Sequence, residues 1–428
     1  MSGCDKRTAP LRAGLHGMAV PETPEGPYAP FVGPDAVPPA PPAPPALVAG
    51  VATGDVLPCA ACLRRAWLIA RLSGHVEHAW LARRPLPAVL ALPDRELIAG
   101  LAGGQRDRIE REYEAFDARA ARAACAATAV VAICRCDARY PAAVRELPDA
   151  PAVLHVHRDA GRFERCAAGD AVAIVGARRA SPYGLEQARG LGRSLAAAGV
   201  AVVSGMALGI DAAAHAGALE AGGLTLAVLA GGPERPYPAS KRDLYKRIVA
   251  RGAVVSELPP GAQARRWGFP ARNRIIAALA RATVVVEASE RSGSLITAGL
   301  AADLGREVAA VPGLVSSPLS QGTHGLIADG ARLVRGARDV LDVLFGAGAP
   351  QLALVPDAAD TATAADALPA DLRALIDRVG AGRDTVMALT DTTHPLDAVL
   401  AGLAQLELRG LVRRTAGGRY VVVAGGGR

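Results

Sequence analysis

Residues 269–297 read FPARNRIIAALARATVVVEASERSGSLIT, and this stretch decides the fold. The apolar spacing predicts a helix over 272–280, followed by a short strand over 283–286. A polar loop of Glu287, Ser289, Glu290, Ser292 and Gly293 then opens a second helix at Ser294. An aromatic ring, several arginines and a Ser/Gly turn at a helix start make a surface suited to a flat anion. Helix, β-branched strand and helix in succession are one step of an α/β layer structure.

The same period extends outward in both directions. Apolar runs at 172–175, 200–203, 225–229, 253–255, 283–286 and 307–311 alternate with helical segments such as Leu185, Ala188, Leu191 and Leu195. The expected architecture is therefore α/β, an extended, Rossmann-like and mostly parallel sheet over 131–345. Upstream, residues 51–130 read as a small all-helical domain, and 1–50 as a Pro-rich arm whose composition does not offset its ordering entropy. Downstream, 346–368 reads as a linker. Residues 369–428 carry three helices and a hairpin around Gly417–Gly418, the pattern of a winged helix. Asp397, Gln405 and Glu407 on its third helix suit a protein contact or a structural role better than a DNA groove.

Composition narrows the function classes. The chain has 428 residues, a hydrophobic fraction of 51%, aromatics at 4% and a formal charge of +7. Residues 171–340 hold 20 Lys/Arg against 12 Asp/Glu, so the basic excess lies in the sheet domain, which suits an anionic partner. No run has the length and flanks of a membrane span. The seven cysteines, Cys4, Cys59, Cys62, Cys125, Cys134, Cys136 and Cys166, read as reduced cytosolic thiols. Cys59-x-x-Cys62 and Cys134-x-Cys136 together offer four ligands. They are more than seventy residues apart and only one pair has ligand spacing, so no metal site and no cofactor are expected.

In a parallel sheet the ligand edge lies at the carboxyl ends of the strands. Those ends carry Gly176–Ser181, Ser204–Ala207, Gly231–Pro233, Ala288–Ser289 and Pro312–Gly313, small residues that let a phosphate chain come close. Arg178 is expected to project over that rim as a phosphate clamp. Ser294 opens a helix whose N-terminus can cap an anion. Asp211 and His215 are spaced for an i,i+4 hydrogen bond or an acid/base pair. No Gly-Lys-Ser/Thr is present, GARRAS lacks the dinucleotide spacing, and no Ser/His/Asp group collects at the strand ends. A basic rim with Phe269 as a stacking face fits unpaired bases.

These motifs resemble the DNA-processing protein A (DprA/Smf) family. The matching residues are Val175–Arg178 with Ser181 and Tyr183-Gly184, SGMALGID at 204–211 with Ala214-His215, Tyr237-Pro238, Ser256-Glu257, FPARNRII at 269–276, Val286–Ala288, SGSLITA at 292–298 and Val311–Gly313. The resemblance covers about 131–340. It implies a cytoplasmic, non-catalytic protein that binds single-stranded DNA, usually as a homodimer, and hands it to the recombinase RecA. Carried onto this chain, it gives Arg178, Ser181, Lys241, Phe269, Arg272, Asn273 and Arg274 as DNA contacts. Gly176, Gly205, Ser292, Gly293 and Ser294 would shape the phosphate rim. The chain departs from the family pattern at Ala230–Glu234, at Lys241 and at His324, where the family has Gly-Cys-Gly-Leu-Asp, Asn and Asn. A competing reading is a nucleotide-processing enzyme like the lysine-decarboxylase-like (LOG) phosphoribohydrolases. Their Pro-Gly-Gly-x-Gly-Thr-x-x-Glu loop is missing here, and Glu287 and Asp211 are the carboxylates available to such chemistry.

Overall fold

The computed structural model describes residues 57–346, 369–391, 394–408, 411–414 and 418–422. The expected Pro-rich arm and nearly all of the expected linker lie outside them. The six apolar runs form strands β3 (Ala171–Val175), β4 (Ala201–Ser204), β5 (Thr225–Leu229), β6 (Ala253–Ser256), β7 (Ala282–Val285) and β8 (Glu307–Ala310). Three further strands join them: β1 (Val130–Cys134), β2 (Val153–His157) and the two-residue β9 (Arg332–Leu333). The order across the nine-stranded sheet is β1-β2-β6-β5-β4-β3-β7-β8-β9. From β6 to β9 every pair is parallel, whereas β1–β2 and β2–β6 are antiparallel.

Strands β3 to β7 are buried on both faces, and their sequences show it: AVAIV, AVVS, TLAVL, AVVS and ATVV have no polar alternation. Helices cover both sides of such a sheet, so each strand needs apolar residues throughout. One face packs Ile275, Ile276 and Phe163 over Val203 and Val228. The other packs Leu191, Leu195, Ile210 and Val340 over Ile174 and Val284. On that second face the helices Pro182–Ala197 and Ile210–Glu220 touch almost backbone to backbone. A Cβ at Gly192 or Gly217 would collide with the carbonyls of Ala214 or Arg189.

The chain runs from β3 outward to β6, then returns to place β7 on the other side of β3. The strand order reverses there, and the crevice between the β3 and β7 ends is where such sheets hold ligands.

Helices between Ala60 and Ala127 precede the sheet. Their core of Leu68, Leu72, Val76, Leu97, Ile98 and Ile109 is completed by Leu258, Trp267 and Ala271 from the sheet segment. The Trp267 indole N–H donates to the Ser73 hydroxyl across 2.9 Å. Near the C-terminus, helices Ala370–Gly380, Val386–Leu389 and Leu396–Leu408 pack with a hairpin of β10 (Val412–Arg414) and β11 (Tyr420–Val422) around Leu372, Leu375, Leu403 and Leu406. Asp397, Gln405 and Glu407 are exposed on the longest of these helices.

Candidate nucleic-acid interface

Two strand-end loops and one helix start build a partly exposed cluster. The loop after β3 carries Arg178, the loop after β5 carries Tyr237, and the helix Gly268–Leu279, entered after β6, carries Phe269 in its first turn. The Arg178 guanidinium carbon lies 5.1 Å from the Phe269 ring centroid. The Tyr237 and Phe269 rings are 5.1 Å apart and inclined at 50°. Tyr237 keeps 49% of its surface in solvent and precedes a cis peptide to Pro238. Arg178 and Arg179 also line a groove with Lys241, Arg247 and, from the C-terminal hairpin, Val421 and Val422, so basic side chains extend from the rim along a largely apolar groove. Cation over aromatic, beside further cations, can hold both the face of a base and its phosphate.

Arg272 and Arg274 are not on that surface. Both belong to the same helix as Phe269, and they are 5% and 4% exposed. Arg272 donates through Nη1 to the carbonyls of Gly205 and Val228, the second across 2.6 Å. Its Nη2 lies 3.9 Å from the Asp211 carboxylate. It thereby ties the ends of β4 and β5 together from behind the rim. Burial lowers its pKa to about 10, against the pull of Asp211, which leaves it charged at neutral pH. The same burial holds Asp211 above the ordinary carboxylate range, against the pull of Arg272.

Arg274 forks onto Glu257 at 3.0 and 2.7 Å and donates to the Ala271 and Asp149 carbonyls. Its Nε also lies 2.9 Å from the Asp149 carboxylate, close enough to attract but off line for a hydrogen bond. Burial pushes Asp149 up and acts to lower Arg274, whose two carboxylates outweigh it and raise the guanidinium. The paired geometry favours a charged arginine fixed between carboxylates. Asn273, between the two arginines, is half-buried and accepts from Arg272 Nε at 3.3 Å.

The switch-point crevice is closed by protein. Ser181 caps the helix Pro182–Ala197, accepting from the Gly184 N–H at 3.1 Å. Its hydroxyl donates to Glu287 Oε1, and its own N–H donates to Glu287 Oε2 at 2.8 Å. The Ala177 N–H donates to the Glu287 carbonyl at 2.7 Å. Buried Glu287 therefore bolts the Arg178 loop to the end of β7.

The rim glycines serve the same closeness. A Cβ at Gly176 would meet Ile210 and the Glu287 carbonyl, and one at Gly205 would fall on the Arg272 guanidinium. Neither position has room for a side chain, and Gly205 is itself buried. Gly293 differs, being exposed with open space around it. Next to it, Ser292 caps the helix Gly293–Asp303 and pairs its hydroxyl with that of buried Ser294 at 2.7 Å.

Asp211 and His215 do not pair. Asp211 accepts the N–H groups of Gly205 and Ala207 at 3.1 and 3.3 Å, and His215 Nδ1 meets the Thr225 hydroxyl at 2.6 Å. His324 binds Gly313 through Nε2, 3.1 Å from its carbonyl, and so steadies the turn after β8. With Glu287 and Asp211 both buried and occupied, the phosphoribohydrolase reading is not favoured.

Tyr237 is a contact that the sequence motifs mark without singling out. The signal for its role was an aromatic before proline on the same rim as Phe269. Burial of the two arginines was also legible in principle. Beyond Arg274 the helix is apolar on every side, as IIAAL, and such helices lie inside.

Fold and site define a doubly wound α/β protein with a basic, aromatic-tipped rim. A family model for DNA recombination-mediator protein A matches residues 131–345, and the chain belongs to that family of DNA processing proteins. A DprA sequence from Mycobacterium tuberculosis is 44% identical over 260 residues, covering 60% of this chain and 66% of that protein, just under two thirds of its length. A Smf protein from Synechocystis is 35% identical over 315 residues, covering 66% of this chain and 78% of the relative. The X-ray structure of DNA processing protein A from Streptococcus pneumoniae superposes with a TM-score of 0.52 at 33% identity, covering 66% of this chain and 95% of that one. Among the described residues, no helix is long and apolar enough to cross a membrane.

Proposed function

We propose that this protein binds single-stranded DNA, shields it and loads the RecA recombinase onto it, without catalysing a reaction of its own. The observation that carries the reading is the cluster of exposed Arg178 and Tyr237 about half-buried Phe269, on the strand-end side of a domain that carries the basic excess. Family membership supports it from the sequence side.

In this reading Phe269 and Tyr237 take bases, while Arg178 and Lys241 take phosphates. Arg272, Asn273, Arg274 and Ser181 act from behind, fixing the strand ends on which those four stand. Gly176 and Gly205 let those supports pack, and the Ser292–Ser294 turn offers a separate phosphate contact at an exposed helix start. The C-terminal helices and hairpin form a winged helix that meets protein rather than duplex, because its long helix displays carboxylates. The working form is a homodimer.

The test is fluorescence anisotropy with labelled oligo-dT at several salt concentrations, beside a duplex of the same length. Phe269→Ala is expected to weaken single-strand binding by about 1–3 kcal/mol, the scale of one base–aromatic stack. Arg178→Ala should weaken it too and lower the salt slope by about 0.7, the share of one phosphate on a single strand. Wild-type affinity in both variants sinks the proposal. RecA nucleation on the same oligonucleotide, with and without the protein, tests the loading step.

A further inference from the structure

Four cysteines converge where the helical segment meets the edge of the sheet. Cys59 caps the helix Ala60–Arg71, and Cys62 lies in its first turn. Cys134 ends β1, and Cys136 follows two residues later. The four sulfurs all lie within 4.8 Å of one another, with Cys62 and Cys136 at 3.9 Å. All four thiols are free of disulfide bonds.

The geometry points to a structural zinc site: we propose that Cys59, Cys62, Cys134 and Cys136 bind one Zn²⁺ ion as four thiolates. A zinc–sulfur bond of about 2.3 Å sets the edge of a tetrahedron of sulfurs at about 3.8 Å. The Cys62–Cys136 separation of 3.9 Å matches that edge, and the remaining pairs, all within 4.8 Å, leave room for one ion. An iron–sulfur cluster spreads its cysteines around several metal atoms, which a quartet this tight does not accommodate. Four soft thiolates in a closed set suit one tetrahedral ion and leave no open position for a substrate, and zinc found in place of a lone iron ion by metal analysis completes the assignment.

The surroundings fit as well. The Cys62 N–H donates to the Cys59 sulfur at 3.4 Å, the kind of second contact that settles a metal-bound thiolate. Arg122 donates to the Pro58 carbonyl at 2.7 Å, which anchors the chain just before Cys59. The Arg135 N–H donates to the Ala152 carbonyl at 2.9 Å, holding the turn between Cys134 and Cys136 against the start of β2. Zinc binding displaces to solvent whatever protons the four thiols still carry, and no electrons move. The ion would fasten the first helix to the sheet edge, more than seventy residues away along the chain.

Metal content of the full-length protein, purified without chelator from zinc-supplemented cells, is the direct test. One zinc per chain is expected, released when a mercurial reagent blocks the thiols. Cobalt substitution should give the intense thiolate charge-transfer and d–d bands of a tetrahedral sulfur site. Cys136→Ser, at an exposed position, should lose the zinc and melt at lower temperature. Cys125→Ser should keep it, since that thiol shares the apolar cluster without belonging to the quartet. Sub-stoichiometric zinc in every preparation overturns the site. So does a mass deficit showing disulfides among the four, or equal zinc loss in both variants.

Discussion

Replacing Arg274 by alanine separates a supporting role from a DNA-contacting one. The guanidinium is buried and forks onto Glu257 at 3.0 and 2.7 Å, with the Asp149 carboxylate 2.9 Å from its Nε. Removing it strands two carboxylates inside the protein, and breaking a buried pair in this way costs about 3–5 kcal/mol. Protonation of the abandoned acids recovers part of that, at about 1.4 kcal/mol for each unit a pKa moves. A segment of this size shifts its melting temperature by about 2–4 °C per kcal/mol, so Arg274→Ala should melt roughly 6–20 °C early. The assay is a thermal melt followed by circular dichroism, paired with oligo-dT anisotropy well below the melt, corrected for the folded fraction. The expected result is a large loss of stability with single-strand affinity close to wild type. A variant that melts with the wild type yet loses DNA affinity would refute the supporting role and return Arg274 to the binding surface.

The remaining predictions probe other supports. Gly205→Ala should cost about 1–3 kcal/mol in a urea titration, because its methyl group falls on the pinned Arg272 guanidinium. Gly293→Ala, with open space around it, should stay within about 0.5 kcal/mol, and equal effects would contradict the packing described. Ser181→Ala should lose about 1–3 kcal/mol, as it removes a helix cap and one donor to buried Glu287. Burial lowers His155 to about 4 and His215 to about 3, so unfolding lets both take up protons that the fold refuses. Their contribution is therefore complete above about pH 6.5 and falls with pH by up to about 1.4 kcal/mol per unit for each. Comparing wild type with His155→Gln from pH 7 to 5 isolates one of them, and parallel stability curves would show the assignment to be wrong.

The parallel strands were readable because a strand buried on both faces needs an unbroken apolar run, and AVAIV or TLAVL can do little else. β1 and β2 left weaker signals. VVAIC and VLHVH are also apolar, but their antiparallel direction depends on partners far along the chain, β2 pairing with β6. The binding edge was legible as a location, because strand ends follow from strand order. Which arginine faces out was not, since FPARNRII gives residue types in sequence while burial is set by the strands beneath and the helix Gly293–Asp303 alongside. Asp211 and His215 had helical spacing, but the β4 turn and Thr225 supplied better partners. The cysteine quartet is hidden in the sequence by the separation of its two pairs, which meet because the helices Ala60–Arg71 and Ala118–Ala127 pack on the sheet edge at β1 and β2.

The partnership of Trp267 with the first helices also bears on how the protein is made. Leu68, Leu72 and Ile98 leave the ribosome early, whereas Leu258, Trp267 and Ala271, which complete their core, come more than a hundred residues later. At about 5–20 residues per second, that interval lasts on the order of 10–40 s. During it the nascent helices have an unfinished apolar face, a natural client for ribosome-associated chaperones. Chains arrested before Leu258 should be cut readily by protease within the helical segment, and chains arrested well beyond Ala271 should resist. Equal sensitivity in both would mean that the first helices complete their core by themselves.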